Sequence, residues 1–184
     1  LQLATHLKMN DTLNEIYNWI DLLTKGSQWL WNETVGGFCA RDIRTGKFSD
    51  GITNASMLCF YANVGDNLQK EKMGAHCERI LKKCKYAFPS WDPEHKSFDN
   101  IRYWRGPVWL IMNYMIEKGL NECGYDILAK RIIDDTKMLV NESGMAEYFD
   151  PMEGSPLGGK NFSWTAAIYL EMSSAESSKQ IINN

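Results

Sequence analysis

One supersecondary layout recurs three times along the sequence. Each copy begins with a long amphipathic helical pattern, continues through a turn-rich stretch and ends in a second, more apolar helical pattern. The turn-rich stretches carry an Asp at corresponding positions, namely Asp42, Asp92 and Asp150. A unit that repeats with this layout is typical of stacked helical hairpins, in which each unit buries its apolar face against its neighbours.

The helices are predicted from the period of their apolar residues. Ile16, Trp19 and Leu23 share one face of a predicted helix over residues 13–30, whereas residues 108–115 are apolar nearly all round. Pro107 is predicted to begin that apolar helix and Gly119 to end it, since proline suits a first turn and glycine a C-terminus. The predicted outer helices span 13–30, 70–84 and 123–140, and the inner helical segments follow from about residues 52, 104 and 162.

Amphipathic outer helices that alternate with apolar inner helices predict an all-α fold of stacked αα-hairpins. Together with an opening helix at residues 1–8, the three hairpins supply about seven helices, just over half of a closed (α/α)6 toroid. We expect residues 1–184 to form a single domain. The connections into the inner helices should emerge at one end, where such a ring binds its ligand.

Composition excludes several classes of function. The net charge is −3 and no basic stripe is present, so binding to nucleic-acid phosphates is not expected. No apolar run approaches 18 residues, which argues against a membrane span. The five cysteines are an odd number without CxxC spacing, which indicates reduced core thiols of a cytoplasmic protein and no zinc site.

The aromatic content is high, with seven Trp, eight Tyr and seven Phe. Two interpretations stay open at this point. These residues either fill a Trp-rich core or line a cleft, where flat apolar ring faces with polar rims suit a ligand that is partly apolar and partly hydrated.

The first segment that packing alone explains poorly is Tyr-Trp-Arg-Gly-Pro-Val-Trp at residues 103–109. Arg105 lies at a predicted helix N-terminus, where the helix dipole disfavours a cation. A paired carboxylate or a substrate hydroxyl would explain its position. The alternative is an arginine that pairs with a structural Asp beneath a tryptophan-rich rim.

The second segment runs from Met145 to Ala167. Two turn signals, Asp150-Pro and Gly158-Gly159, are predicted to hold a long loop against the start of an apolar helix. A carboxylate presented there, Glu147, would be able to orient a water molecule if cations such as Arg105 or Lys160 lie nearby. The alternative is that Glu147 is an ordinary surface acid.

Both segments resemble signatures of the inverting (α/α)6-toroid glycoside hydrolases, a family that includes processing α-glucosidase, mannosylglycerate and glucosylglycerate hydrolases and, more distantly, trehalases. The resemblance covers residues 31–172 and is strongest at 103–109 and 147–167. In that family, the Glu that precedes a Tyr/Asn-x-Asp/Asn-Pro-x-x-Gly turn is the general base. The resemblance places this role on Glu147, and it implies a sugar pocket formed by Tyr103, Trp104, Arg105, Trp109 and Trp164.

The resemblance also implies a carbohydrate substrate, no cofactor and no metal. The family's general acid is an Asp in a motif like Asp-Asn-Ser-Pro-Arg, which this sequence lacks. We therefore expect the chain to be the C-terminal portion of a larger glycosidase domain, inactive alone, with the missing N-terminal half or a second copy as its partner. The aspartates that match the acid by residue type only are Asp42, Asp50, Asp92 and Asp99.

Two rival functions stay open. One is a non-catalytic helical module that binds carbohydrate or only assembles with other chains. The other is a different toroid enzyme, such as a glycogen-debranching glucosidase or a lyase. The product's anomeric configuration distinguishes the latter, because only an inverting hydrolase must invert the anomeric centre.

Overall fold

The structure is a computed structural model that describes residues 1–182, apart from the side chains of Gln2 and residues 175–182. Helices dominate it, as predicted. The α-helices of the described residues are α1 (Gln2–His6), α2 (Asn10–Ser27), α3 (Leu58–Tyr61), α4 (Asn67–Lys83), α5 (Leu110–Glu122), α6 (Asp126–Ser143) and α7 (Ser163–Ile182). Two antiparallel hairpins join them, β1 (Trp31–Asn32) with β2 (Gly37–Phe38), and β3 (Ala146–Phe149) with β4 (Pro156–Lys160).

Helix α5 lies at the centre of the packing. It contacts α3, α6 and α7, and its Ile116 and Leu120 are fully buried. Phe60 of α3 and Ile132 of α6 belong to the same core. An inner helix that is packed on several sides needs apolar residues around most of its circumference, so the predicted apolar pattern of this segment is confirmed.

The predicted ends of α5 are wrong at both termini. The helix begins at Leu110 rather than Pro107, because Val108 exchanges two backbone hydrogen bonds with Phe149 and cannot adopt helical geometry. It also continues through Gly119 to Glu122. Gly119 serves close packing instead, since a Cβ there would lie 2.2 Å from the backbone nitrogen of Tyr61.

Other helix boundaries also differ from the prediction. Helix α6 begins at Asp126, not at residue 123, because α5 runs to Glu122 and Gly124 adopts a positive φ angle of +81°. The first inner helix is confined to α3, since Thr53 pairs with Trp91 in an isolated bridge and residues 54–57 form turns. Pairing with the neighbouring unit therefore shortens the helix at its N-terminus.

The three predicted Asp turns are confirmed as equivalent structures. In each, one carboxylate oxygen of Asp42, Asp92 or Asp150 accepts the backbone N–H two residues further on, at 2.8–3.0 Å. Such local side-chain hydrogen bonds define an Asx turn. The bridges Thr53–Trp91 and Val108–Phe149 then link successive units. In each bridge, the residue just before an Asp turn (Trp91 or Phe149) pairs with a residue that precedes the inner helix of the previous unit (Thr53 or Val108).

Helix α2 has the predicted apolar stripe, but the stripe is not covered. Trp19 is 55% exposed and Leu23 is 73% exposed, and none of the residues of α2 is buried. The main contacts of the helix are with α1 and with the 3₁₀ turn (Gln28–Leu30) that follows it. An exposed apolar face of this size is unusual for a folded surface.

Across residues 1–182, none of the helices combines the length and the apolar character that crossing a lipid bilayer requires.

Candidate active site

Glu147 lies on a β-hairpin rather than in the long loop that was predicted. Strands β3 and β4 pair in antiparallel register, with an irregularity between Ala146 and Tyr148 that falls at Glu147. Ala146 is buried, whereas Glu147 is partly exposed. Along β3, Ala146 and Phe149 are buried and the two residues between them are partly exposed, which departs from regular strand alternation and agrees with the irregularity at Glu147.

Two neutral donors hold the Glu147 carboxylate. The Tyr103 hydroxyl donates to Oε1 at 3.1 Å, and the Gly159 backbone N–H donates to Oε2 at 3.1 Å. The hydrogen bond to this carboxylate raises the pKa of the Tyr103 hydroxyl, which therefore stays protonated as the donor. The site thus orients a carboxylate by hydrogen bonds.

Tyr103 reaches Glu147 from a strained loop. Its φ angle is +22°, a value that non-glycine residues rarely adopt. The indole Nε1–H of Trp109 donates to the Tyr103 carbonyl at 2.9 Å and so holds this conformation. Strain of this kind persists only where the surrounding structure over-determines it, and it is concentrated at functional sites.

Aromatic rings form a wall beside Glu147. Trp104 stacks on Trp109 at 4.2 Å between ring centroids, and Trp109 stacks on Tyr148 at 4.9 Å. Tyr103 meets all three of these rings edge-on. Sequence reasoning missed Tyr148, whose only signal was an aromatic residue directly after the candidate base.

Arg105 does not take the place predicted for it. It precedes the first residue of α5 by several positions, and its Nε donates to the Ser97 carbonyl at 3.0 Å. Among the described residues, neither Arg105 nor Lys160 forms an ion pair with Glu147 or any other carboxylate. The expected cation beside the base is replaced by the Tyr103 and Gly159 donors.

Trp164 lies outside the aromatic wall. Its side chain is 59% exposed at the start of α7, and it meets Phe162 edge-on at 5.9 Å. With Ile111 and Ala167 it borders a small apolar recess of about 210 Å³. The structure therefore brings together Tyr103, Trp104, Trp109 and Glu147 from the predicted set, whereas Trp164, among the described residues, has a ring contact with Phe162 and none with the aromatic wall.

The aspartates that matched the general acid by type are engaged locally. Asp92 receives two hydrogen bonds from Arg79, Asp50 contacts His95 at 3.0 Å, and Asp99 accepts the N–H of Ile101. Asp42 closes its own turn. Within the described part of the chain, moreover, no group of three or more His, Cys, Asp or Glu side chains is arranged to hold a metal ion.

Comparison with known proteins identifies one family. A family model described as the mannosylglycerate hydrolase MGH1-like glycoside hydrolase domain matches residues 1–165. Mannosylglycerate hydrolase MGH1 of Selaginella moellendorffii is 37% identical over 157 residues, which are 85% of this chain and 32% of that protein. The mannosylglycerate hydrolase of Thermus thermophilus is 35% identical over 156 residues, 85% of this chain and 38% of that protein. The chain thus spans about a third of the length of these relatives.

Solved structures agree with the sequence comparison. A glycoside hydrolase family 63 mannosylglycerate hydrolase of Thermus thermophilus, in complex with Tris and D-glycerate, superposes with a TM-score of 0.82 at 35% identity, over 85% of this chain and 38% of that chain. Neutral trehalase Nth1 of Saccharomyces cerevisiae superposes with a TM-score of 0.63 at 19% identity, over 80% of this chain and 28% of that chain. The latter is a likeness of fold alone.

Proposed function

Because the chain belongs to the mannosylglycerate hydrolase MGH1-like glycoside hydrolase family, we propose that it supplies the general base of an inverting glycosidase. Glu147 is that base. The substrate is mannosylglycerate or a closely related mannoside or glucoside, as the names of the relatives suggest. The observation that carries the proposal is the pair of hydrogen bonds that orient the Glu147 carboxylate beside stacked indole rings.

The base must be held so that one of its oxygens can take a proton from water. Tyr103 and Gly159 each donate to a different oxygen of Glu147, which fixes the plane of the carboxylate. Each carboxylate oxygen accepts more than one hydrogen bond, so a water molecule still has a place to bind. That water attacks the anomeric carbon while Glu147 accepts its proton, the glycosidic bond breaks, and the general acid protonates the departing oxygen.

The aromatic wall suits a sugar. Tyr103 and Trp104 present partly exposed rings close to Glu147, and the C–H faces of a pyranose ring pack well against such surfaces. Trp109, predicted as a sugar contact, is only 3% exposed between Trp104 and Tyr148 and supports the stack from within. Arg105 and Trp164 remain proposed substrate contacts that would act from outside this stack.

The general acid comes from outside residues 1–184. Each candidate Asp within them is engaged in a turn or an ion pair, as described above. In an inverting enzyme the acid lies roughly 6.5–9.5 Å from the base, across the scissile bond. The general acid therefore has to face Glu147 from the other side of the scissile bond.

We also propose a cytoplasmic location, where cysteines stay reduced. All five are free, and burial raises the pKa of the Cys59 and Cys84 thiols to about 12. Such thiols stay protonated at neutral pH and react slowly.

The test is Glu147→Gln in the complete gene product, assayed on mannosylglycerate and glucosylglycerate. Removing the base should lower kcat by about 10²- to 10⁴-fold. Glu153→Gln is the matched control, because Glu153 is exposed in the same hairpin and its side chain takes no part in the site; it should retain activity. NMR of the first-formed sugar should show an inverted anomeric centre.

Unchanged turnover in Glu147→Gln would favour the non-catalytic carbohydrate-binding or assembly module instead. Retention of the anomeric configuration would favour another toroid enzyme.

A further inference from the structure

The segment that carries Tyr103 is a closed loop, residues 99–105. We call its two joined ends the neck and the part around Tyr103 the tip. The Asp99 N–H donates to the Arg105 carbonyl at 2.8 Å and so joins the two ends of residues 99–105. Gly106 makes this closure possible, because a Cβ there would lie 2.2 Å from the Asp99 carbonyl oxygen. Within the loop, the Arg102 N–H donates back to the Asp99 carbonyl at 3.2 Å. These hydrogen bonds hold the two ends of the loop together.

Asn100 ties the neck of this loop to the hairpin that carries Glu147. Its amide Nδ2 donates to Oδ2 of Asp150 at 2.7 Å. Asp150 is 4% exposed, and its other oxygen accepts the Met152 N–H at 2.8 Å. Burying a carboxylate costs free energy unless the carboxylate accepts hydrogen bonds, and a hydrogen bond to it is stronger than one between neutral groups.

The loop therefore meets the hairpin through two side-chain hydrogen bonds, Asn100 to Asp150 at the neck and Tyr103 to Glu147 at the tip. At the tip, Tyr103 has a positive φ angle that is unfavourable for a tyrosine, and the Trp109 indole holds it through its carbonyl oxygen. At the neck, Asn100 holds the loop to the hairpin.

We propose that Asn100 is a positioning residue for the reaction, which acts through Asp150 to hold the Tyr103 hydroxyl against Glu147. The proposal rests on the proposed role of Glu147 as the base. Asn100 itself touches neither the base nor the aromatic wall in the contacts described, so its effect on turnover must pass through the Tyr103 hydrogen bond.

A double-mutant cycle in the complete gene product tests this inference. Tyr103→Phe should lower kcat by about tenfold or more, the usual effect of losing a hydrogen bond to a charged group. Asn100→Ala should lower kcat to a similar extent with little change in KM. The double variant should match Tyr103→Phe within about twofold, because residues that act as one unit are not additive.

The split between kcat and KM provides a second readout. Both single variants should lower kcat by similar amounts and leave KM nearly unchanged, because each weakens the same donor to the base and keeps the aromatic rings. A residue with a merely structural role would lower the melting temperature without making the two substitutions non-additive.

Asn100→Asp is the matched control, since it keeps the shape of the side chain but faces Asp150 with a second carboxylate; it should lose at least as much activity as Asn100→Ala. Should Asn100→Ala not fold, Asn100→Ser replaces it in the cycle, because a serine hydroxyl is too short to reach Asp150. Additive effects of the two sites on kcat, or a loss in the Asn100 variants that falls on KM alone, would overturn the inference.

The cycle also separates this inference from the proposed function. If Glu147→Gln abolishes turnover while the cycle is additive, only the role of Asn100 fails. If Glu147→Gln retains turnover, both fail.

Discussion

Gly158 lies closer to Glu147 than any larger residue could. It has a φ angle of +72°, and a Cβ at this position would lie 2.6 Å from Oε2 of Glu147 and 2.6 Å from a ring carbon of Tyr148. Both the backbone conformation and the space therefore demand glycine. The close approach places the Gly159 N–H within reach of the carboxylate.

At the residue scale we predict that Gly158→Ala lowers kcat/KM by at least about tenfold, because the new methyl group displaces the Glu147 carboxylate from its donors. Gly124→Ala is the matched control. Gly124 has a similar φ angle of +81°, but nothing lies within 4 Å of the added Cβ. Both variants should lose about 1–2 kcal/mol of stability from the left-handed conformation.

Steady-state kinetics and thermal melts of the complete gene product measure the two effects. The explanation is wrong if Gly158→Ala and Gly124→Ala have the same activity, since both carry the backbone strain and only one disturbs the carboxylate.

At the residue scale, the sequence predicted some features of the site correctly and others not. The motif around Glu147 singled out the candidate base, and the Trp104–Trp109 stack lies beside it. The same reasoning assigned a cation as its neighbour and missed Tyr148. The identity of a hydrogen-bond partner depends on distances between separate segments, which a local motif does not contain.

At the scale of elements, the packing of α5 against α3 decides where the inner helices lie. The two helices approach each other at Gly119, where the backbone of Phe60 and Tyr61 occupies the space that a side chain would need. This close approach is also why the glycine occurs inside the helix rather than at its end.

We predict that Gly119→Ala destabilises the protein by roughly 1–3 kcal/mol or more, because the methyl group forces α5 away from α3. Gly26→Ala in α2 is the matched control, since nothing lies within 4 Å of its Cβ. Helix propensity alone should make that variant more stable by up to about 1 kcal/mol. Urea unfolding followed by circular dichroism measures both changes.

A Gly119→Ala variant as stable as the parent would show that α3 adjusts freely, contrary to this account of the packing. A loss of stability in Gly26→Ala would point to a general intolerance of alanine at helical glycines.

At the scale of the whole molecule, exposed apolar surface is concentrated on the N-terminal helices α1 and α2. Leu3 of α1 is 70% exposed, and Leu22 and Leu23 of α2 are 66% and 73% exposed. The chain spans about a third of the length of its relatives, and their remaining length is available to cover such faces. A partner for these helices, either that additional chain or a second copy, remains a prediction.

We predict that residues 1–184, purified as such, self-associate through α2. Leu23→Lys should reduce this association, because it places a charge in the middle of the apolar stripe. Ile127→Lys is the matched control: Ile127 is 86% exposed on α6, away from that stripe. Sedimentation velocity measures the mass distribution of each variant, and equal association in both would exclude α2 as the contact surface.

The sequence alone determined the helical repeat and its turns, because both arise from interactions within a few residues. Apolar period sets which helices are amphipathic, and the Asp42, Asp92 and Asp150 turns close through their own neighbouring N–H groups. The family motif likewise pointed to Glu147 and to the glycoside hydrolase family that the comparisons confirm.

Only the tertiary structure decided where the helices end and what surrounds Glu147. Val108 leaves the helical path because it pairs with Phe149, and α5 passes through Gly119 because the backbone of α3 lies against it. Tyr103 reaches the candidate base from a loop far away in the chain. Contacts between distant segments depend on how the helices pack together, and no short-range pattern records that packing.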